Sequence, residues 1–143
     1  MEIISTSEKQ TIDAAHDLAK ELSGQEIILL NGDLGMGKSV FCRSLIKALC
    51  KDESIEVPSP TFTLLQQYQY DKGIIWHFDL YRLSDPSEIY EIGWEETLEN
   101  GIVLVEWPER LGALLPKNHI EVTLSKPPQT PPDTRNIEII YHE

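Results

Sequence analysis

A glycine-rich stretch of this sequence ends in two side chains that can bind a phosphate and a divalent cation. Residues 32–39 read GDLGMGKS and match the pattern G-x-x-x-x-G-K-[ST] at every fixed position, with Lys38 and Ser39 last. In loops of this kind backbone N–H groups converge on phosphate oxygens, the lysine reaches the β- and γ-phosphates, and the hydroxyl binds Mg²⁺. The stretch therefore predicts a binding site for nucleotide phosphates.

Two carboxylates are candidates to complete a magnesium site beside this loop. Asp79 ends the apolar run that begins at Ile74, and Glu106 ends the run that begins at Ile102. Phosphoryl transfer needs Mg²⁺, positioned charge and a placed nucleophile. A carboxylate at the end of a buried strand usually completes the magnesium shell. Composition does not choose between the two, and either could instead be a strand-terminal surface acid.

The histidines and arginines of the chain offer few further candidates for metal binding or catalysis. No two of the four histidines have the sequence spacing of metal ligands, so we expect His77 to be packed or hydrogen-bonded. The four arginines are few for a kinase lid, which normally places several charges around the transferred phosphate.

The segments around the glycine stretch occur in the order that a phosphate-binding loop requires. Residues 26–30 form a short apolar run that is typical of a buried strand. Apolar residues then recur at helical spacing between Val40 and Leu49, which predicts a helix that starts at Lys38 and Ser39. The N-terminus of that helix directs free N–H groups and the positive end of its dipole at the loop, and both favour an anion.

The remaining pattern predicts one α/β domain over residues 1–143, with helices flanking a mixed sheet. Strand-like segments at 64–70 and 74–79 are separated only by the turn signal at 71–73, so they must pair antiparallel. A buried strand is predicted at 102–106, and half-buried strands follow at 120–124 and 137–141. The sheet is therefore mixed, not purely parallel.

Two helix starts carry recognisable caps. Ser7 and Gln10 fit a capping box for a helix that Gly24 would close, and Asp85 with Pro86 and Glu88 opens a later helix. Ser7 and Thr11 could face a nucleotide, but on pattern alone capping and surface roles are favoured.

Composition and charge exclude several classes of protein. The net charge is −12, from 24 acidic and 12 basic residues, which disfavours unaided binding of DNA or RNA. The two cysteines, Cys42 and Cys50, are too far apart along one helix for a disulfide, so we expect free thiols. Neither a secretory signal nor an apolar run of membrane-spanning length occurs, so we expect a cytoplasmic protein with no membrane contact.

Four motifs occur in a fixed order: the glycine stretch at 32–39, SPTFT at 59–63, HFDLYR at 77–82 and VEWPE at 105–109. With these motifs the chain resembles the TsaE (YjeE) family, small bacterial ATPases needed to make threonylcarbamoyladenosine in tRNA. The resemblance spans nearly the whole chain. The glycine pattern alone is widespread, whereas the H-x-D-x-Y-R element at 77–82 and the E-W-x-E element at 106–109 are specific to the family.

The resemblance implies a P-loop NTPase fold that binds ATP and Mg²⁺. The resemblance implies that Lys38 binds phosphate, that Ser39 and Glu106 bind Mg²⁺, and that Asp79 is a catalytic or supporting acid. Residues 59–61 resemble a switch segment that senses the γ-phosphate. The full set of implied ATP contacts is Ser7, Thr11, Gly32, Gly35, Met36, Gly37, Lys38, Ser39, Val40, Thr61 and Arg135, in which Ser7, Thr11 and Arg135 would contact base or ribose. The family more often has Ala, Thr and Thr where this chain has Met36, Ser39 and Val40. The serine at position 39 keeps the hydroxyl that would bind Mg²⁺. The bulkier Met36 could narrow the approach of the loop to phosphate.

The function implied by the resemblance is a Mg-dependent ATPase, with Lys38, Asp79 and Glu106 as catalytic residues. It would drive turnover of the partner proteins TsaD and TsaB and reach tRNA only through their complex. Two alternatives stay open at this point: a small-molecule kinase and a nucleotide-sensing module with negligible turnover. A GTPase is disfavoured because no N-K-x-D motif occurs.

Overall fold

A computed structural model describes residues 1–33, 35–58 and 64–143 of the chain. Leu34 of the glycine stretch and the predicted switch segment at 59–61, with its ATP-contact candidate Thr61, lie outside the described residues. Among the residues described, no helix combines the length and apolar character that a membrane span requires.

A mixed sheet of seven strands organises the described parts of the chain. Its strand order is β1-β7-β6-β2-β5-β4-β3. The central strands β6, β2, β5 and β4 run parallel, while β1, β7 and β3 pair antiparallel at the two sides. The antiparallel pairing of β3 with β4 is the one that the turn signal at 71–73 predicted. The strands are β1 (Glu2–Ser5), β2 (Ile27–Asn31), β3 (Leu65–Tyr70), β4 (Gly73–Asp79), β5 (Ile102–Glu106), β6 (His119–Ser125) and β7 (Arg135–His142).

Helices cover the two faces of this sheet unequally. Helices α1 (Glu8–Glu21) and α2 (Lys38–Cys50) pack on one face, against alternate residues of β2 and β4–β7. Among the described residues, the buried strand residues of the second core come only from β2, β4 and β5. They lie beneath α3 (Trp94–Glu99) and two 3-10 helices, Pro86–Ile92 and Pro108–Leu114. The buried side chains of this second core are Leu29, Phe78, Leu80, Leu83, Ile89, Trp94, Val103, Val105 and Leu111.

The predicted caps hold, but two helix boundaries differ from the sequence analysis. Ser7 caps α1 and accepts a hydrogen bond from the Gln10 N–H at 3.2 Å. That helix ends at Glu21, before Gly24. The single helix predicted from Asp85 is two segments, because Gly93 adopts a left-handed conformation at φ 84° and separates the first 3-10 helix from α3.

Gly101 lies at the start of β5, the strand that carries Glu106. Its replacement by alanine is predicted to destabilise the protein severely. Its φ is +114°, and an added Cβ would overlap the carbonyl oxygen of Ile74 on the neighbouring strand. We expect Gly101→Ala to lower the free energy of unfolding by about 4 kcal/mol, because backbone strain and a backbone clash add. Urea denaturation measures this loss.

Gly93→Ala is the matched control, since Gly93 also has positive φ but no heavy atom lies within 4 Å of its added Cβ. Only the conformational penalty applies there, so we expect a loss of about 1 kcal/mol. Equal losses in the two variants would contradict the role of the Ile74 carbonyl.

Candidate functional site

The glycine loop connects the end of β2 to the start of α2 at the carboxyl edge of the parallel strands. Gly32 has φ +145°, and a Cβ there would lie 2.7 Å from the carbonyl oxygen of Leu124, so the loop backbone passes directly against β6. Gly37 precedes α2 and offers no side-chain cap to the helix N-terminus. The first N–H groups of a 13-residue helix therefore point at the loop, the arrangement that binds anions.

The side chain of Lys38 is buried at this helix start without a hydrogen-bonding partner. Only 6% of the residue is exposed, and its Nζ has no hydrogen-bond partner among the described residues. Desolvation lowers the pKa of Lys38 below the usual lysine range, although four carboxylates nearby act in the opposite sense. Those carboxylates are Glu106, Glu109, Asp79 and Asp33.

The indole ring of Trp107 is the group that the Lys38 ammonium contacts. Nζ lies 3.3 Å from the ring centroid, which is a cation–π contact. Trp107 itself has φ 61° and ψ 51°, a left-handed conformation that is rare for a bulky residue, and its ring also meets the Tyr81 ring at 5.0 Å. The sequence analysis did not identify Trp107 as a site residue; its position directly after Glu106 was the available signal.

The two candidate carboxylates end adjacent parallel strands. Asp79 of β4 and Glu106 of β5 are register partners, and they are 5% and 4% exposed. The Leu80 N–H donates to the Glu106 carbonyl at 3.1 Å, and the Tyr81 N–H donates to Asp79 Oδ1 at 3.0 Å. Both carboxylates are therefore held at the same edge of the sheet as Lys38.

A buried histidine orients Glu106. His77 Nε2 lies 2.8 Å from Glu106 Oε2 and 3.2 Å from Cys42 Sγ, so His77 is a hydrogen-bonded histidine, as predicted. Burial, with the negative charges of Glu106 and Asp79, raises the pKa of the Cys42 thiol well above its usual value. Cys42 therefore remains a neutral thiol, and the hydrogen bond between His77 Nε2 and Glu106 Oε2 holds the Glu106 side chain in place.

A cavity of about 170 Å³ brings together several of the residues that the resemblance assigned to the nucleotide. Arg135 lines this cavity and also supports the loop, since its Nη2 donates to the Gly35 carbonyl at 3.3 Å and its Nε to the Met36 carbonyl at 3.2 Å. The lining residues are Glu8, Thr11, Gly35, Met36, Gly37, Val40, Asp133 and Arg135. Glu8 and Asp133 had no pattern that pointed to them.

Ser7 and Thr11 use their hydroxyls within the protein. Ser7 Oγ accepts the capping bond from Gln10, and Ser7 does not line the cavity. Thr11 Oγ1 is buried 2.8 Å from Ser5 Oγ, a hydrogen bond that anchors α1 to β1. The capping role that the pattern favoured for Ser7 is confirmed.

Comparison with known proteins identifies the group to which this architecture is related. A family model described as threonylcarbamoyl adenosine biosynthesis protein TsaE matches residues 5–137. The TsaE protein of Rickettsia felis is 48% identical over 122 residues, covering 85% of this chain and 71% of that protein. The Aquifex aeolicus relative, also named tRNA threonylcarbamoyladenosine biosynthesis protein TsaE, is 43% identical over 109 residues, covering 76% and 77%. The crystal structure of Bacillus subtilis YdiB superposes with a TM-score of 0.75 at 22% identity, covering 99% of this chain and 84% of that one, and shows the same fold.

The unpartnered ammonium of Lys38 predicts an unusual effect on stability. Replacing it by methionine removes a buried charge and keeps an unbranched chain of similar length, so we expect Lys38→Met to raise the free energy of unfolding of the ligand-free protein by about 1 kcal/mol. Thermal denaturation in the absence of nucleotide measures this gain.

Lys47→Met is the control on the same helix. Lys47 is half-buried in the last turn of α2, where a positive charge favours the helix dipole, so its removal is expected to be neutral or slightly destabilising. If Lys38→Met changes the free energy of unfolding no more favourably than Lys47→Met does, the buried ammonium is already well compensated in the ligand-free protein.

Proposed function

The chain belongs to the TsaE family of threonylcarbamoyl adenosine biosynthesis proteins, and from this premise we propose that it is a Mg-dependent ATP hydrolase. Its place in the biosynthesis of threonylcarbamoyladenosine in tRNA follows from the family. The proposal adds the activity: it hydrolyses ATP in support of a TsaD–TsaB complex that modifies the tRNA. We further propose that the protein works in the cytoplasm, where tRNA is modified.

One observation carries the proposal, namely the buried Lys38 Nζ that has no hydrogen-bond partner among the described residues. A charge of this kind is costly unless a ligand compensates it. The glycine loop and the uncapped start of α2 offer N–H groups to the same ligand. The donor set therefore fits the phosphate chain of a nucleotide.

The acidic side of the site fits a magnesium ion. Glu106 supplies a carboxylate whose Oε2 is held by His77, and Ser39 at the start of α2 supplies a hydroxyl, which are both ligands that Mg²⁺ accepts. When bound, the ion neutralises charge on the phosphates during transfer. To Asp79, the register partner of Glu106, we assign the role of acting on the attacking water as a base or through its charge.

In this proposal, nucleotide binding changes the contact that the Lys38 ammonium makes with Trp107. The ammonium leaves the face of Trp107, or shares it, when phosphate oxygens provide a stronger, charge-assisted interaction. The cavity beside the loop, lined by Thr11, Met36, Val40 and Arg135, is the proposed place for base or ribose. Ser7 is not part of that cavity, so we leave it out of the proposed contacts.

The charge of the chain supports an indirect route to RNA. A net charge of −12 opposes the electrostatic attraction that supplies most non-specific affinity for nucleic acid. We therefore propose that TsaD and TsaB carry the tRNA while this chain supplies ATP turnover. Family membership disfavours the small-molecule kinase, and the nucleotide-sensing module differs from our proposal only in lacking hydrolysis.

Substitution of the two strand-end carboxylates is predicted to separate metal binding from hydrolysis. We expect Glu106→Gln to remove the Mg²⁺ dependence of ATP affinity, because the ion loses its charged ligand. Asp79→Asn is expected to leave ATP affinity within about threefold and to lower hydrolysis by about a hundredfold. Calorimetric ATP titrations with and without Mg²⁺, together with a phosphate-release assay, measure both effects.

Two controls frame that experiment. Glu109→Gln removes an exposed carboxylate near Lys38 and should change neither readout, whereas Lys38→Met should lose ATP affinity altogether. Loss of magnesium dependence only in the Asp79 variant would mean that the two roles are exchanged.

Partner proteins are predicted to raise the turnover of this ATPase. We expect slow ATP hydrolysis by the isolated chain and at least a tenfold rise when purified TsaD and TsaB are added, since the few arginines leave transition-state charge under-compensated. Filter binding at physiological salt should show weak tRNA binding by the chain alone. The Lys38→Met variant, added to the same partners, reports any contaminating ATPase.

Tight tRNA binding by the isolated chain, or fast ATP turnover that ignores TsaD and TsaB, would contradict the proposal. No hydrolysis in any mixture, with ATP still bound, would favour the nucleotide-sensing module.

A further inference from the structure

Three side chains of types that can bind a metal ion lie together on the sheet face that the second core leaves uncovered. His119 and Glu121 are two residues apart on β6 and so share a face, and His142 of β7 is the register partner of His119. One ligand atom from each lies within 4.8 Å of the others. His119 begins β6, whereas the glycine loop follows the carboxyl end of the parallel strand β2, so this cluster lies at the opposite end of the strands.

The two imidazoles are held side by side. Their ring centroids are 4.6 Å apart with 28° between the planes. His142 Nε2 is 3.4 Å from Glu121 Oε1, and these two side chains are 42% and 34% exposed. Two nitrogen bases and a carboxylate thus converge where solvent can still reach them.

Hydrogen bonds from outside the cluster orient two of its members. His119 Nδ1–H donates to the Pro116 carbonyl at 2.9 Å, and since a carbonyl only accepts, the lone pair of the neutral ring remains on Nε2. Glu121 Oε2 accepts from Asn31 Nδ2 at 3.2 Å. Supporting bonds of this type, to a backbone carbonyl for histidine and to a donor for the carboxylate, are those that surround metal ligands.

We propose that His119, Glu121 and His142 form a binding site for a divalent transition-metal ion, with Zn²⁺ the best match. Imidazole and carboxylate ligands suit Zn²⁺, Co²⁺ and Ni²⁺, whereas Mg²⁺ prefers oxygen ligands throughout. Three protein ligands at a half-exposed position leave the remaining coordination to water. The sequence analysis did not find this site because antiparallel pairing, not sequence spacing, brings the histidines together.

A second cluster in the described ranges must be distinguished from this one. Cys42, His77 and Glu106 also place ligand atoms within 4.8 Å of one another, but all three are buried. A thiolate ligand would be required there, and burial raises the pKa of Cys42. The exposed cluster needs no such deprotonation.

Calorimetry with ZnCl₂ on the whole chain, freed of metal and kept in excess Mg²⁺, tests the proposal. We expect one equivalent of Zn²⁺ to bind, and His142→Ala and Glu121→Gln each to weaken that binding at least tenfold. His16→Ala is the matched control, because His16 also faces a carboxylate, Glu53, at 3.5 Å but belongs to neither cluster. Its Zn²⁺ affinity should match that of the unmodified chain.

Co²⁺ as a spectroscopic probe identifies the ligands. We expect visible d–d bands without a thiolate-to-metal charge-transfer band, and we expect Cys42→Ser to leave the spectrum unchanged. Absence of saturable Zn²⁺ binding, unchanged affinity in both cluster variants, or a thiolate band that Cys42→Ser removes would each overturn the proposal. Two variants on different strands protect the test against a folding defect in either one.

Discussion

The contact between the Lys38 ammonium and the Trp107 indole is the interaction on which the rest of the site depends. A charge that is 6% exposed and without a hydrogen-bond partner in the described chain must be compensated by its surroundings. The ring provides part of that compensation at 3.3 Å, and four carboxylates provide more at longer range. The ligand-free site is therefore poised between two partners for one cation, the aromatic ring and an incoming anion.

Sheet topology explains why these groups meet. Strands β2, β5 and β4 are neighbours and parallel, so the residues at their carboxyl ends lie side by side. The loop that carries Lys38 follows the first of these strands, Glu106 ends the second and Asp79 ends the third. Because Trp107 directly follows Glu106, its left-handed backbone turns the chain at the strand end. The ring can then return over the lysine.

Features determined by local pattern could be predicted from the sequence. The glycine loop, the strands β2 to β7, the antiparallel hairpin and the Ser7 cap follow from periodicity, turn residues and capping chemistry, which act over a few neighbouring positions. The contacts of Arg135 depended on tertiary structure, because its guanidinium donates to the carbonyls of Gly35 and Met36, which lie 100 and 99 residues earlier in the chain. The lysine–tryptophan contact and the His119–His142 pair likewise arise from strand register, which no local pattern specifies.

The break at Gly93 shows the same limit within one helix prediction. The Asp85 signal correctly located a helix start, but a start signal does not determine whether the turns that follow are 3-10 or α. Packing of Ile89 and Trp94 into one core decides this, because each segment must direct its buried residue at the sheet. Local chemistry therefore determined where the helix starts, and tertiary contacts determined whether its turns are 3-10 or α.

The Cys42 thiol next to His77 has a consequence for chemical durability. Oxidants attack thiolates at accessible positions, and Cys42 is both buried and held in its protonated form by its neighbours. Of the two thiols, the half-exposed Cys50 at the other end of α2 is the one that peroxide reaches more readily. Oxidation of the thiols should accordingly begin at the end of α2 that lies away from the phosphate-binding edge, and the carboxylate that His77 orients should keep its geometry when it does.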